Sequence, residues 1–119
     1  MRVEHVDFVS VLTQDLQRAK QFYVGTLGLV VETEGDSDME LSCGQVTLDV
    51  FDPSSIGQPF APSPAGIALR VPDVDTARAA LEQKGVVFDG DTITTGVCKQ
   101  AWFKDPDGNA LMLHRRFDA

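Results

Sequence analysis

The stretch Phe103-Lys104-Asp105-Pro106-Asp107-Gly108-Asn109-Ala110-Leu111-Met112-Leu113 contains the clearest structural signal in the chain. Pro106 fixes its own φ angle, Gly108 can adopt a positive φ angle, and the Asp side chains can accept hydrogen bonds from nearby backbone N–H groups. Apolar runs flank this turn, at residues 97–103 and 110–113. The pattern predicts a hairpin that joins two strands.

The composition limits what this 119-residue chain can be. We expect residues 1–119 to form a single domain, because this length suits one hydrophobic core. The net charge of −8 argues against nucleic acid or an anionic membrane surface as a partner. It is compatible with a cationic ligand, although a soluble acidic surface is the more common meaning of such a charge. No apolar stretch is long enough to span a membrane and no signal sequence is recognisable, so a cytoplasmic location is expected. Cys43 and Cys98 are too few for a disulfide framework and are expected to be free thiols.

The first half of the chain alternates between strand and helix patterns. Residues 3–12 are rich in β-branched and apolar side chains and predict a strand, after which Asp15 has the character of a helix N-cap. Apolar residues at helical spacing follow the cap as far as Tyr23, and Gly25 and Gly28 then end the helix. Three further strands are predicted at residues 29–33, 39–43 and 46–51.

The same pattern restarts after a proline-rich segment. Residues 53–65 contain four of the six prolines and predict a linker, because proline cannot supply ladder hydrogen bonds. Asp73 then takes the place of Asp15 (73 − 15 = 58), an apolar helix face follows it, and Gly85 ends the helix. The remaining predicted elements are strands at residues 66–71, 86–88, 97–103 and 110–113, with a polar loop at 89–96.

Each half therefore has the order βαβββ, which predicts an internal repeat. The first module covers residues 1–52 approximately, the linker covers 53–65, and the second module covers about 66–119. A half of this size cannot bury its helix and sheet faces well alone, so the two modules are expected to form one domain.

The repeat resembles the vicinal oxygen chelate superfamily. The motifs that carry the resemblance are Phe22-Tyr23 and Leu27-Gly28-Leu29 in the first half and residues 105–109 (DPDGN) in the second. That group includes glyoxalase I, extradiol dioxygenases, fosfomycin-resistance enzymes and bleomycin-resistance proteins. The resemblance implies an α+β fold in which two βαβββ modules form a cupped eight-stranded mixed sheet, with the helices on the outer face and the site in the cup. A homodimer is also implied, since homodimers are common in this superfamily.

The resemblance also assigns the positions that hold a metal ion in the family's enzymes. Those enzymes use four inward side chains, typically His or Gln, Glu, His and Glu, from the first and last strands of each module. The first-strand positions, seven before each capping Asp, are Phe8 and Gly66 (15 − 7 = 8; 73 − 7 = 66), and the last-strand positions are Asp49 and Met112. Phenylalanine and glycine have no donor atom, a thioether suits soft metals, and one carboxylate does not hold a catalytic ion. We therefore expect neither a bound metal nor another cofactor.

His5 is a weaker candidate for a functional residue. It lies three positions before Phe8, and strand alternation would place it on the opposite face. A one-residue bulge would restore the face, so a functional role stays open, although a strand-end histidine is the favoured interpretation.

A different kind of site is predicted on the same inward faces. His114 shares the face of Met112, two residues before it, and Trp102 faces the same way if Phe103 packs under a helix. The predicted ligand-binding residues are Phe8, Asp49, Phe51, Trp102, Met112 and His114. Such a set is typical of an apolar small-molecule pocket with few polar groups. Core packing of the aromatic residues and a solvated His114 are the competing interpretations.

Two functions remain open from the sequence. The favoured one is a metal-independent protein of sequestering or resistance type that binds a small, aromatic or cationic molecule. The alternative is a glyoxalase-type lyase, isomerase or dioxygenase, which would need an unusual metal site or metal-free acid–base catalysis by Asp49 and His114. Neither function identifies the molecule.

Overall fold

Two similar units make up the chain in the computed structural model, which describes residues 1–118. The first unit spans Met1–Pro62 and the second begins at Ser63. Each unit contains one four-stranded mixed sheet and one main helix, in the order βαβββ. The α+β class and the internal repeat predicted from the sequence are confirmed, and the eight strands form two separate, open four-stranded sheets.

The first unit places its first strand beside its last. Its elements are β1 (Val9–Leu12), α1 (Leu16–Lys20) with a π-helical continuation (Gln21–Thr26), β2 (Val30–Glu34), β3 (Asp38–Cys43), β4 (Val46–Phe51) and a 3₁₀ turn (Pro53–Ile56). The strand order is β1–β4–β3–β2, with β1 parallel to β4 and the other neighbours antiparallel.

The second unit repeats this topology. Its elements are β5 (Ile67–Arg70), α2 (Val74–Gln83), β6 (Ile93–Thr94), β7 (Cys98–Lys104) and β8 (Ala110–Arg116). The strand order is β5–β8–β7–β6, and β5 runs parallel to β8. The offset of 58 residues that aligns the two capping aspartates also aligns β1 with β5, because 9 + 58 = 67 and 12 + 58 = 70.

Both helices begin at an aspartate, as predicted. Asp15 Oδ1 accepts a hydrogen bond from the Arg18 backbone N–H at 3.1 Å, and Asp73 Oδ1 accepts one from the Thr76 N–H at 2.8 Å. These bonds satisfy a helix N–H group that would otherwise lack an acceptor. The hydrogen bond from Thr76 also lowers the pKa of Asp73.

Each helix covers only one face of its own sheet. The apolar side chains of alternate strand positions pack under that helix, with α1 against β4 and α2 against β7 and β8. The buried core of the first unit contains Val11, Ala19, Tyr23, Met39, Leu41, Leu48 and Val50, and that of the second contains Val74, Leu81, Phe88, Ala101, Phe103, Leu111 and Leu113. The face of each sheet opposite its helix is called its open face below.

The first strand is shorter than the sequence predicted. The prediction placed a strand at residues 3–12, but pairing begins only at Val9, which lies opposite Leu48 of β4. Residues 1–8 are exposed and form no strand. Their apolar side chains therefore fit a strand pattern without a neighbouring strand in the first unit to pair with.

Two predictions in the second unit were also wrong. Residues 86–88 do not form a strand, because Phe88 makes only a single bridge to Phe103 and packs its ring against that residue, with the centroids 5.1 Å apart. The short strand β6 instead lies within the predicted polar loop, where it pairs with Lys99 and Gln100. An edge pairing of this kind needs backbone groups rather than apolar side chains.

No helix among residues 1–118 has both the length and the apolar character needed to cross a membrane. Cys43 and Cys98 are free thiols, as expected, and burial raises the pKa of the Cys43 thiol.

The DPDGN hairpin is held by one buried carboxylate. Asp105 accepts hydrogen bonds from the backbone N–H groups of Asp107 and Asn109 at 2.9 and 2.8 Å, and from Asn109 Nδ2 at 2.8 Å. Asn109 Oδ1 in turn accepts a hydrogen bond from the Ser63 N–H at 2.9 Å. Gly108 has a φ angle of 89°, which a side chain would strain. The turn therefore fixes both the β7–β8 connection and the entry of the chain into the second unit.

Replacing the buried carboxylate should weaken the second unit substantially. We expect Asp105→Ala to lower the free energy of unfolding by about 2–4 kcal/mol, because it leaves several buried donors without an acceptor. Urea denaturation followed by circular dichroism measures this change. Asp91→Ala, which removes an exposed carboxylate from a loop of the same unit, is the matched control. Equal stabilities for the two variants would contradict the assigned role of Asp105.

Candidate functional site

The two last-strand positions singled out from the sequence are structurally equivalent. Asp49 lies opposite Ser10 of β1, and Met112 lies opposite Ala68 of β5. Both residues lie on the open face of their own sheet, since the residues beside them in sequence are core residues under the helix. The repeat therefore presents an acidic side chain in one unit and a thioether in the other at the same place.

The open face of the first unit carries a group of carboxylates. Glu40 of β3 is paired directly with Asp49, and Asp38 lies two residues before Glu40 on the same face. Thr33 of β2 donates its Oγ1 hydroxyl to Glu40 Oε1 at 2.9 Å. Of the predicted aromatic residues, Phe51 is half-buried on this face beside Asp49.

Phe8 lies immediately before β1 and is 48% exposed, so it does not pack beneath the helix of its unit. The sequence-based interpretation that Phe8 is a core residue therefore finds no support in the first unit.

Asp49 is in an unusual electrostatic environment. The residue is only 9% exposed, and its Oδ1 atom is buried without a hydrogen-bond partner in the described part of the chain. Burial raises the pKa of Asp49 to about 7, and a hydrogen bond with Asp38 together with the charges of Asp38 and Glu40 adds to this effect. A carboxyl group in this state can hold or release a proton near neutral pH.

In the second unit, the indole ring of Trp102 lies on a glycine. A Cβ atom on Gly66 would overlap Cζ3 of Trp102 and would lie 2.7 Å from its Cη2 atom. No side chain larger than hydrogen fits at position 66 while the indole keeps this position. Gly66 is the first-strand position at which the family resemblance implies a metal ligand, so the indole occupies space that such a ligand would need.

Hydrogen bonding also fixes the orientation of the indole. Trp102 Nε1–H donates to Gln100 Oε1 at 2.6 Å, and Trp102 lies opposite Met112 on β8. His114 lies opposite Gln100 and is half-buried. The prediction that Trp102, Met112 and His114 share one face is consistent with this register, and Phe103 packs on the helix side as the prediction required.

The two sheets have opposite charge. Within its four strands the first sheet has no Lys, Arg or His, and its acidic residues are Glu32, Glu34, Asp38, Glu40 and Asp49. The second sheet has no Asp or Glu in its four strands, and its Lys and Arg residues are Arg70, Lys99, Lys104, Arg115 and Arg116. The first sheet would therefore attract a cationic ligand group and repel an anionic one, and the second sheet would do the reverse.

A surface depression of about 470 Å³ lies on the first unit between α1 and the β2–β3 turn, and of the acidic group around Asp49 it includes only Asp38. Its lining includes Lys20 and Glu34, which already pair with each other at 2.8 Å, and none of the six predicted ligand-binding residues. We do not assign the site to this depression, because Lys20 and Glu34 are paired with each other and its lining contains no aromatic side chain.

No group of three or more His, Cys, Asp or Glu side chains within residues 1–118 is arranged to hold a metal ion. His5, the weaker sequence candidate, is exposed and places its Nε2 atom 2.8 Å from Asp7 Oδ1, outside any strand.

Sequence reasoning missed Asp38, Glu40 and the contact between Gly66 and Trp102. The alternation of Asp38, Glu40 and Ser42 with apolar residues was visible in β3 and placed both carboxylates on one face. Only the register of β3 against β4 shows that this face is the one that carries Asp49.

Comparison with known proteins places this architecture in a family. The family model described as the Glyoxalase/Bleomycin resistance protein/Dioxygenase superfamily matches residues 2–113, and the chain belongs to this superfamily. A search of the curated proteins found no match.

Solved structures with the same fold include proteins of different described roles. TnmS3, an antibiotic binding protein from Streptomyces sp. CB03234, is 32% identical, with a TM-score of 0.79 and 98% of each chain covered. A superfamily member from Sphaerobacter thermophilus is 26% identical, with a TM-score of 0.80 and coverage of 94% of this chain and 97% of the other. Lactoylglutathione lyase from Agrobacterium tumefaciens has a TM-score of 0.78 and covers 96% of this chain and 95% of its own, but its 19% identity shows the shared fold alone.

The contact between Trp102 and Gly66 can be tested without a ligand. Gly66→Ala should displace the indole or strain the strand, with a loss of about 1–3 kcal/mol in unfolding free energy from overpacking. Trp102 is the only tryptophan, so its emission maximum and acrylamide quenching report this displacement directly. Gly96→Ala is the control, since a Cβ atom there meets nothing within 4 Å. Unchanged emission in both variants would show that the indole does not lie on Gly66.

The environment of Asp49 predicts a distinctive pH dependence of stability. The folded pKa is raised from 3.8 to about 7, so the folded state holds a proton that the unfolded state releases. Stability should therefore fall as pH rises from about 4 to 7, by at most a few kcal/mol at about 1.4 kcal/mol per pKa unit.

Asp49→Asn should be more stable than the native protein at pH 8 and similar to it below pH 4, because the Asn amide can donate to Asp38 as the protonated acid does. Urea denaturation at a series of pH values measures the difference, with Glu32→Gln as an exposed control in the same sheet. A native protein that gains stability relative to Asp49→Asn as pH rises would contradict this account.

Proposed function

We propose that this protein binds a small molecule without a metal ion, as a sequestering or resistance-type protein. The observation that carries the proposal is the position of Trp102, whose indole lies on Gly66 and is oriented by Gln100 on the open face of its sheet. An aromatic ring held in this way is suited to bind an apolar or cationic group at low entropic cost.

Family membership and residue chemistry support this function. TnmS3, described as an antibiotic binding protein, shares 32% identity with this chain over 98% of both lengths. The positions that the family resemblance assigns to metal ligands contain Phe8, Gly66 and Met112 besides Asp49, and this set is poor in donors for a catalytic divalent ion.

The proposed ligand contacts are the six residues predicted from the sequence. Their chemistry matches a small-molecule site, which combines apolar and aromatic surface with a few polar groups that set orientation. Phe8, Phe51 and Trp102 would supply aromatic surface, Met112 an adaptable thioether, and Asp49 and His114 the polar groups. A homodimeric, cytoplasmic protein remains our expectation for the state in which it acts.

An enzyme is the second candidate, and one observation favours it. Burial raises the pKa of Asp49 to about 7, and a carboxyl group in this range suits a general acid or base at neutral pH. In this alternative, the protein would be a metal-free lyase, isomerase or dioxygenase relative within the same superfamily. Mass spectrometry of the ligand recovered from the complex separates the candidates, because a binding protein returns the ligand unchanged.

A thermal-shift screen of neutral and cationic aromatic compounds tests the binding function. We expect some compounds to raise Tm and to change the fluorescence of Trp102. For such a compound, Trp102→Ala should weaken binding at least about tenfold, or about 1.4 kcal/mol, by calorimetry, with the fold retained. Val87→Ala, an 81% exposed position in the same unit, is the control.

Elemental analysis of the purified protein completes this test. The proposal requires far less than one Zn, Ni, Mn, Fe or Mg per chain. A tightly held metal near one equivalent, lost on Asp49→Asn, would replace the binding proposal with a metalloenzyme.

A further inference from the structure

One carboxylate oxygen of Asp49, Oδ1, accepts no hydrogen bond from the described part of the chain. Its Oδ1 atom is buried and lacks a hydrogen-bond partner within residues 1–118, although the residue is more than nine-tenths buried. A buried carboxylate oxygen normally accepts at least one hydrogen bond, because its desolvation is otherwise uncompensated. The Oδ1 atom is therefore available to accept a hydrogen bond from water or from a donor group of a bound molecule.

The sheet around this atom is acidic, and its four strands contain no positive side chain. Glu40 lies opposite Asp49 on β3, Asp38 lies two residues earlier on the same face, and Ser10 flanks Asp49 on β1. The hydroxyl of Thr33 already donates to Glu40. The four strands of this sheet contain no Lys, Arg or His, so no cationic side chain of the sheet itself balances the three carboxylates, and Lys20 of the helix segment pairs with Glu34.

A metal ion does not fit this group. Its three carboxylates are not arranged to hold a metal ion, as noted above for residues 1–118. An organic cation does not need several ligand atoms at fixed positions around it. One of its N–H groups can donate to a single carboxylate oxygen, while its positive charge also attracts the neighbouring carboxylates.

We propose that Asp49, with Asp38 and Glu40, forms a subsite for a cationic nitrogen group of the bound small molecule, a primary ammonium or an amidinium. This inference rests on the proposed binding function and adds the chemical class of the ligand. The cationic N–H donates to the vacant Oδ1 of Asp49, and its positive charge offsets the repulsion among the carboxylates.

Binding at this subsite is linked to a proton. Burial and the neighbouring Asp38 and Glu40 raise the pKa of Asp49 to about 7, so this carboxyl group is partly protonated near neutral pH. A cationic group binds the ionised form and displaces the proton to solvent. Its affinity should therefore increase roughly ten- to hundredfold between pH 5 and pH 8, while a neutral analogue shows no such increase.

Benzamidine and benzamide are the probes for this proposal. The first is a cation with two NH₂ groups throughout this pH range, and the second is a neutral molecule of nearly the same shape. Carbon-detected NMR of the Asp side chains follows each titration, with the Asp49 carboxyl signal assigned by its absence in Asp49→Asn. We expect benzamidine, and not benzamide, to lower the apparent pKa of Asp49 by at least one unit.

Substitutions in the acidic group test whether these carboxylates cause the preference for benzamidine. Asp49→Asn should remove the preference for benzamidine over benzamide, and Asp38→Asn should reduce it. Glu32→Gln, which removes one negative charge from the same sheet outside this group, should retain it. If Asp49→Asn does not fold, the Asp49 carboxyl signal is assigned instead through its scalar couplings to the Asp49 backbone, and the displacement of the Asp49 pKa in the native protein then decides the question.

The outcomes separate this inference from the proposed function. Equal affinity for both probes at pH 5 and pH 8, with binding of neutral aromatic compounds intact, overturns the cationic subsite and leaves the binding function standing. A benzamidine preference that persists in Asp49→Asn also overturns it. Failure of every compound in the screen to bind overturns both.

Discussion

A single helix can cover only one face of a four-stranded sheet, and this constraint governs both units. The covered face takes the apolar residues of each strand, so Leu48 and Val50, or Leu111 and Leu113, pack beneath the helix. The alternate residues are left on the open face, where packing against the helix places no demand on them. Chemistry can vary there without loss of the core, which is consistent with one fold supporting unrelated activities.

The two open faces have diverged accordingly. At equivalent register positions, one sheet carries Asp49 beside Glu40, and the other carries Met112 beside Trp102. The first arrangement is polar and short of hydrogen-bond donors, whereas the second is aromatic and has its indole N–H satisfied by Gln100. A duplicated topology thus supports two different recognition chemistries, one electrostatic and one apolar.

The features that sequence predicted well are those that local chemistry determines. Asp15 and Asp73 were identified as caps because a short acceptor side chain before an apolar periodic run has few other roles, and their spacing then aligned the two units. The DPDGN turn was recognisable for the same reason, since proline, glycine and aspartate have specific backbone preferences.

The features that sequence missed depend on neighbours that are distant along the chain. Residues 1–8 have a strand composition, but no strand in the first unit is placed to pair with them. The acidic group around Asp49 can be recognised only from the β3–β4 register, and the packing of the Trp102 indole on Gly66 only from the approach of Gly66 to β7. The ligand contacts proposed from the sequence remain predictions, because alternation assigns a face to a residue but not a binding partner.

The contact between Trp102 and Gly66 has a consequence for how such proteins can evolve. The indole fills the space that any side chain at position 66 would need, so a donor residue cannot be introduced there while the tryptophan remains. Removal of the tryptophan alone would leave a gap above a glycine and supply no ligand. The two positions are therefore epistatic: a donor at position 66 becomes possible only with a smaller residue at position 102. Because Phe8 and Met112 also lack a suitable donor, several coordinated changes separate this chain from a metal-binding one.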